Sequence, residues 1–253
     1  MKIVIIGGTG LIGRPLVGLL QNKGHDVVAA SPSTGIDAVT GAGLVHALWD
    51  ASVVVDVSNA PSFEDEAALA FFRGTTANLL KAAREAGVRH FIALSVVGTD
   101  RLQASGYFRA KLAQEQLIAV GGVPYTIVRA TQFFEFLSTI ADGYTMDGAV
   151  YLPGIALQPV AAADVSAILA ERATASPTND IYEVAGPERA PLAEFTASWL
   201  GARDDTRRIV VTDKRDYFGA PADDNTLIPD EGAQIAPTRF DAWLTAHSRE
   251  QAA

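Results

Sequence analysis

The 253 residues predict a doubly wound α/β domain with a parallel sheet. Three observations carry that expectation: an apolar strand at the start that runs straight into a glycine-rich turn, strands and helices that alternate through residue 130, and a composition of 49% hydrophobic and 19% charged residues. At ~100–200 residues per domain the length allows one large domain, with a boundary expected near residue 130. Residues 1–130 read as the core, and 131–253 as a small substrate lobe partly interleaved with it.

The opening MKIVIIGG has four apolar residues in a row, too few for the centre of a signal peptide, and reads as a strand over Lys2–Ile6. Leu11–Lys23 has helical periodicity and stops at Gly24, and Asp26–Ala30 is a second strand. Thr40 is placed to cap a short helix through Trp49, followed by an apolar strand over Ser52–Val57. Glu64–Ala86 reads as a long helix closed by Gly87, Arg89–Ser95 as a strand, Tyr107–Val120 as a helix stopped by Gly121 and Gly122, and Pro124–Arg129 as a strand. Beyond Ala130 the pattern thins to short elements around Thr131–Tyr144, Asp164–Ala173 and Ile181–Val184, with Asp164 as a helix N-cap. A helix follows from Pro191 to Leu200, then an apolar run Ile209–Val211 in charged surroundings, a surface loop over Pro221–Pro229, and a last helix over Pro237–His247.

Charge and residue usage exclude several classes. Twenty basic against 29 acidic residues leave a net −9, which opposes nucleic-acid backbones and anionic membranes as partners. With no cysteine there is no disulfide, thiolate nucleophile or Cys-ligated metal, and a cytoplasmic location is expected. His25, His46, His90 and His247 are dispersed without metal-ligand spacing, so no metal is expected. No apolar stretch approaches the ~20 residues of a membrane helix.

Gly7-Gly8-Thr9-Gly10-Leu11-Ile12-Gly13 fits G-x-x-G-x-x-G between first strand and first helix. There the glycines let backbone approach a pyrophosphate whose charge meets free N–H groups and the positive helix end. A tight packing turn is the plainer reading, and the alternating α/β context favours a nucleotide. Where an acid would meet the ribose hydroxyls of NAD, at the end of the second strand, the chain has Ala29-Ala30-Ser31-Pro32-Ser33. Missing that acid, and with Arg14, Ser31 and Ser33 nearby, the site favours NADP(H) over NAD(H). Arg14 reads equally as a solvated first-turn residue, and Asp37 as an adenine contact or a turn-forming Asp.

Ser95 ends a strand, and Tyr107 and Lys111 stand four apart on one helical face. A phenol with an ordinary pKa near ~10 transfers protons at neutral pH more readily when an ammonium stabilises its phenolate, the part Lys111 would take.

The glycine motif, the Ser, Tyr and Lys pattern and the segments VVVDVSNAP, GTTANLLKAAREAGVRHFIALSVVG, YFRAKLAQE, VRATQFFEF and QPVAAADVSAIL together resemble the short-chain dehydrogenase/reductase superfamily, in its atypical, NmrA-like branch. The resemblance implies a Rossmann-type fold. It also implies that Gly7, Thr9, Gly10, Leu11 and Ile12 line the cofactor phosphates, that Arg14 and Ser31 hold the adenosine phosphate, and that Asp37 meets the adenine. Val57, Ser58 and Asn59 would follow the nucleotide. Ser95 would orient a substrate carbonyl, Tyr107 would transfer the proton, and Lys111 would hold the nicotinamide ribose and tune Tyr107. The asparagine that assists the relay in classical members is not identifiable on the long helix, where Phe71 and Phe72 stand. The segment after Ala130 is short for the substrate domain of a nucleotide-sugar enzyme. Gln132, Phe133 and Phe134, with Phe136 and Tyr144 near, could border an apolar substrate, or could be helix-core aromatics. The expected activity is NADPH-dependent reduction of a small apolar carbonyl or quinone. The alternative is a non-catalytic NADP sensor. The oligomeric state stays open.

Overall fold

A computed structural model describes residues 1–250. Its first half is built from β1 (Lys2–Ile6), α1 (Gly13–Asn22), β2 (Asp26–Ala30), α2 (Leu44–Leu48), β3 (Val53–Asp56), α3 (Asp65–Glu85), β4 (His90–Val96), α4 (Gly106–Ala119) and β5 (Tyr125–Ala130). The rest comprises α5 (Leu137–Gly143), β6 (Thr145–Met146), β7 (Ala149–Pro153), β8 (Ala156–Leu157), α6 (Ala162–Arg172), β9 (Asp180–Ala185), β10 (Ala190–Pro191), α7 (Leu192–Gly201), β11 (Arg208–Thr212), β12 (Asp216–Tyr217), β13 (Ala220–Pro221), β14 (Gln234–Ile235) and α8 (Phe240–Glu250).

Seven strands form one sheet in the order β14-β9-β5-β4-β3-β1-β2, with every neighbouring pair parallel. A sheet buried on both faces needs strands that are apolar on both, and β1 supplies Ile3 and Ile5 to one core and Val4 and Ile6 to the other. Leu16 and Leu20 of α1 and Val165 and Leu169 of α6 close the first face; Leu48, Leu79, Leu80 and Ile118 close the second. The strand order reverses between β1 and β3, which opens a crevice at their carboxyl ends, the usual ligand position in open α/β sheets. A third core gathers Leu137, Val150, Leu157, Phe195 and Trp243 from the later segment around Leu102 and Phe108.

The alternating elements fall where the periodicity puts them, to within two residues for all but the short second helix. That helix starts at Leu44, and its N-cap is Gly43 at φ 74, not Thr40. Gly43 is forced by crowding as well as by its φ, since a Cβ there would lie 2.6 Å from the Gly35 carbonyl oxygen. Asp164 does not cap α6 either; it lies in the first turn and accepts hydrogen bonds from the Thr238 backbone and hydroxyl at 3.0 and 2.9 Å, tying α6 to the approach to α8. The expected surface loop over Pro221–Pro229 buries Thr226 and Leu227. Strands β9 and β14, from beyond residue 130, complete the main sheet.

His90 is buried on β4, with Nε2 2.9 Å from the Thr126 hydroxyl of β5. Burial lowers its imidazole to about 4, against ~6.5 in an unfolded chain. Between those values the unfolded chain binds a proton that the folded chain refuses, so stability falls as pH drops through this window. We expect wild type to lose roughly 3 kcal/mol through this group between pH 7 and 4. Urea titrations across that range should show a correspondingly flatter pH dependence for His90→Gln.

Candidate active site

The carboxyl ends of β1 to β5 open on one cavity of about 1350 Å³. At one end the loop between β1 and α1 is drawn tight. Gly7 has φ 79, a Cβ on Gly8 would lie 2.8 Å from the Ala29 Cα of β2, and one on Gly13 would lie 2.2 Å from the Gly7 carbonyl oxygen. Gly7, Thr9, Gly10, Leu11 and Ile12 line the cavity directly in front of α1, whose first N–H groups have no partner within the helix. This cradle fits the pyrophosphate of a dinucleotide.

Past β2 the chain turns through a short 3₁₀ segment, Pro32–Thr34, in which the Thr34 hydroxyl oxygen accepts from the Ser31 N–H at 2.9 Å. Ser31 lines the cavity and its hydroxyl is 2.8 Å from that of Ser33, which does not. Arg14 lies exposed outside the lining, its guanidinium donating to the Thr9 carbonyl at 3.3 Å. Asp37 lines the cavity and also holds its own turn, accepting from the Val39 N–H at 2.8 Å. Val57, Ser58 and Asn59 border the cavity at the end of β3.

Tyr107, in the first turn of α4, reaches the same wall, and its hydroxyl donates to Asn59 Oδ1 at 3.1 Å. Phe63, Phe72 and Phe108 pack edge-on around the ring at 5.2 to 5.9 Å. Desolvation pushes the phenol above its ordinary value. The expectation that Lys111 tunes it downward is not met. The Lys111 ammonium donates instead to the Leu94 carbonyl at 2.8 Å and to Gln114 Oε1, and sits 4.4 Å over the Phe72 ring. Burial draws this lysine down to about 8, against the opposing pull of Asp56 and Glu115.

Ser95 lines the cavity, but its hydroxyl donates to Glu115 Oε1 at 2.5 Å, so it serves the buried Glu115–Arg129 pair (2.7 Å) and does not present itself to a ligand. Gln132 and Phe133 line the cavity. Phe134 does not: the 3₁₀ turn Phe134–Phe136 directs it into the third core, 5.0 Å from Phe240 and 5.3 Å from Trp243, which corrects its assignment to the pocket.

Several site residues escape a reading of the sequence. Gln114 links Lys111 to Asp56, donating to Asp56 Oδ2 at 3.1 Å. A signal was present: Lys111, Gln114, Glu115 and Ile118 follow helical spacing on the buried face of α4, so three of the seven buried residues of this helix are polar. Tyr217, on the hairpin β12–β13, also lines the cavity. Nothing local to its two-residue strand announces it. No cluster of three or more metal-ligating side chains occurs among the described residues, and no helix among them is long and apolar enough to cross a membrane.

A family model described as NAD(P)H-binding matches residues 7–173, from the glycine loop through α6. The chain belongs to this NAD(P)H-binding family. It is 32% identical over 213 residues, 77% of this chain and 71% of the other, to a (4-alkanoyl-5-oxo-2,5-dihydrofuran-3-yl)methyl phosphate reductase of Streptomyces griseus subsp. griseus. An NAD(P)H azoreductase of Xenophilus azovorans is 26% identical over 217 residues, covering 79% of this chain and 73% of that one. In fold it matches a short-chain dehydrogenase/reductase superfamily protein of Agrobacterium tumefaciens with bound NAD, at a TM-score of 0.73 and 18% identity, covering 100% of this chain and 98% of that one. The protein is thus a member of an NAD(P)H-binding family with reductases among its relatives, and it shares the fold of the Agrobacterium protein.

The tight loop makes a sharp test. Gly13→Ala must displace backbone and should lose about 1–3 kcal/mol of stability, together with at least a roughly tenfold weakening of NADPH binding. Gly18, on the same helix, has nothing within 4 Å of an added Cβ. Gly18→Ala should be neutral or stabilising by up to about 1 kcal/mol, with unchanged binding. Thermal unfolding and fluorescence titration read both.

Proposed function

We propose that this protein is an NADPH-dependent oxidoreductase that reduces a small, largely apolar carbonyl or quinone. The observation that carries the reading is the Tyr107 hydroxyl at the wall of the nucleotide cavity, held protonated by desolvation and donating to Asn59. A protonated phenol carries the proton that the reductive direction needs; desolvation also makes it a weaker acid, so its assignment as donor rests on its place at the cavity wall and on the charge that builds on a reduced oxygen. A substrate oxygen would compete with Asn59 for that proton. The bound nicotinamide supplies the hydride.

Each further role rests on placement. The glycine cradle receives the pyrophosphate, and Ser31, with no acid at the end of β2, leaves room for a 2′-phosphate that Arg14 meets by swinging from the Thr9 carbonyl. Lys111, which lines the cavity between Leu94 and Gln114, would bind the nicotinamide ribose. Ser95 touches substrate only by leaving Glu115. Phe71, Phe133, Phe136 and Phe218 make the remaining wall apolar, which suits an aromatic or aliphatic substrate and excludes water from the transfer. The kinship with the furanone phosphate reductase and the azoreductase supports reduction as the direction.

Purified protein should oxidise NADPH with a member of a panel of aromatic ketones, aldehydes and quinones. Tyr107→Phe should lower the rate with a ketone roughly 10²–10⁴-fold while leaving NADPH affinity nearly unchanged; undiminished ketone reduction would refute the assigned acid. Arg14→Ala should erase a preference for NADPH over NADH, and isothermal titration with both nucleotides measures it. An unchanged ratio would remove Arg14 from the phosphate site and leave the cradle intact.

A further inference from the structure

The cavity wall holds polar groups that the protein leaves unpaired. Tyr217 is 3% exposed, and its hydroxyl is buried with no hydrogen-bond partner; the Gln132 side chain, 6% exposed, has both its oxygen and its nitrogen in the same condition. A buried donor without a partner costs stability, so its retention beside a ligand cavity points to a partner that arrives with the ligand. The Tyr217 ring leans on Phe108 at 6.4 Å and on Phe218 at 4.9 Å, and Phe108 in turn packs on Tyr107 at 5.7 Å, so the two phenols share a neighbour at the wall of one cavity. Desolvation, with smaller contributions from the Tyr144 and Tyr107 phenols, raises Tyr217 far above its ordinary value, and it stays a donor at any physiological pH.

Its setting has little backbone pairing. The hairpin β12–β13 has two paired positions, Asp216 with Pro221 and Tyr217 with Ala220, and a ribbon that short has little stability of its own. Phe218 and Gly219 at its tip have φ 46 and φ 83, and the Phe218 N–H is held at 2.7 Å by the Tyr144 hydroxyl. An outward shift of this hairpin would present the Tyr217 hydroxyl to the cavity that the residue lines.

Charge limits what sits there. Among the described residues lining the cavity the one cation is Lys111, already engaged by Leu94, Gln114 and the field of Asp56. Arg109 lies outside the lining and pairs with Asp65 at 2.5 Å. An anionic group on the substrate would be desolvated with no counterion.

We propose that the Tyr217 hydroxyl, carried on a short hairpin, donates a hydrogen bond to an acceptor oxygen of the substrate and that the site selects uncharged aromatic substrates. The proposal rests on the reductase reading for the placement of substrate beside Tyr107, and its test separates the two. 1,4-Naphthoquinone is titrated calorimetrically into full-length protein with saturating NADP⁺, a condition that permits binding without turnover. Tyr217→Phe should bind it about 5- to 10-fold more weakly with NADP⁺ affinity unchanged and a thermal midpoint equal to or above wild type, since the variant removes an unpaired buried hydroxyl. The 2-sulfonate of the same quinone should bind wild type at least roughly tenfold more weakly. Equal affinities of wild type and variant, a midpoint that falls together with affinity, no naphthoquinone binding, or a preference for the sulfonate each overturns the proposal. Weakened binding in the variant, in a protein that oxidises no NADPH with any quinone or ketone, sustains the role of Tyr217 and sinks the reductase reading. Ketone reduction undiminished in Tyr217→Phe does the reverse.

Discussion

The burial of a polar helix face against the parallel sheet is the constraint on which the site depends. Helix α4 turns Lys111, Gln114 and Glu115 inward, where buried charges are tolerated only if paired and fully hydrogen-bonded. The strand ends meet that demand one by one. Asp56 of β3 takes Gln114, the Leu94 carbonyl of β4 takes Lys111, and Arg129 of β5 holds Glu115 through both its Nε and a terminal nitrogen, at 3.0 and 2.7 Å. Because each contact joins the helix to a different strand, α4 cannot slide or roll without stranding a charge. Tyr107, one turn above Lys111, takes its position from this anchoring. The same network reaches further, since Arg129 also meets Asp100 at 3.1 Å and Glu183 of β9 at 3.8 Å. The later segment is thereby tied electrostatically to the strand that ends beside the cavity.

This arrangement changes what the Tyr and Lys spacing means. Four residues apart on a helix, the two side chains share a face, and a direct electrostatic effect of ammonium on phenol is the natural expectation. In the structure the lysine is pulled beneath the helix by Gln114 and the Leu94 carbonyl, with Phe72 alongside. The aromatic shell that isolates Tyr107 raises its pKa where the ammonium was expected to lower it. Two groups expected to be coupled are here divided, the lysine held by Gln114 and the Leu94 carbonyl and the tyrosine by Asn59 and its aromatic neighbours.

How legible the site was in the sequence follows from how local each determinant is. The β1–α1–β2 unit was readable because apolar alternation, glycine spacing and the missing acid after Ala30 all lie within 33 residues of one another, and backbone geometry alone translates them into a cradle. Phe133 and Phe134 could not be told apart, because the chain leaves the strand there and alternation stops; a 3₁₀ turn decides which ring faces the cavity. Asp164 looked like a cap because it precedes an apolar run, while its true partner, Thr238, lies 74 residues away. Ser95 sits where the motif puts it, yet the direction of its hydroxyl is fixed by Glu115 twenty residues on. Tertiary partners of this kind leave no periodicity to read.

The cavity's two sides are made differently, with a consequence for how substrate choice evolves relative to chemistry. The cradle, Tyr107 and the polar anchors of α4 come from the first 130 residues and are interlocked by glycine backbone packed too closely for a Cβ and by buried ion pairs, so changes there act on stability together with the site. The opposite wall comes from Phe136, Tyr217 and Phe218, carried on a 3₁₀ turn and a hairpin with two paired positions. These segments contact the core through aromatic packing and have no part in the sheet, so they tolerate exchange of side chains at modest cost. A site built this way sets the glycine cradle on the interlocked side of the cavity and leaves the facing aromatic wall on segments with little backbone pairing.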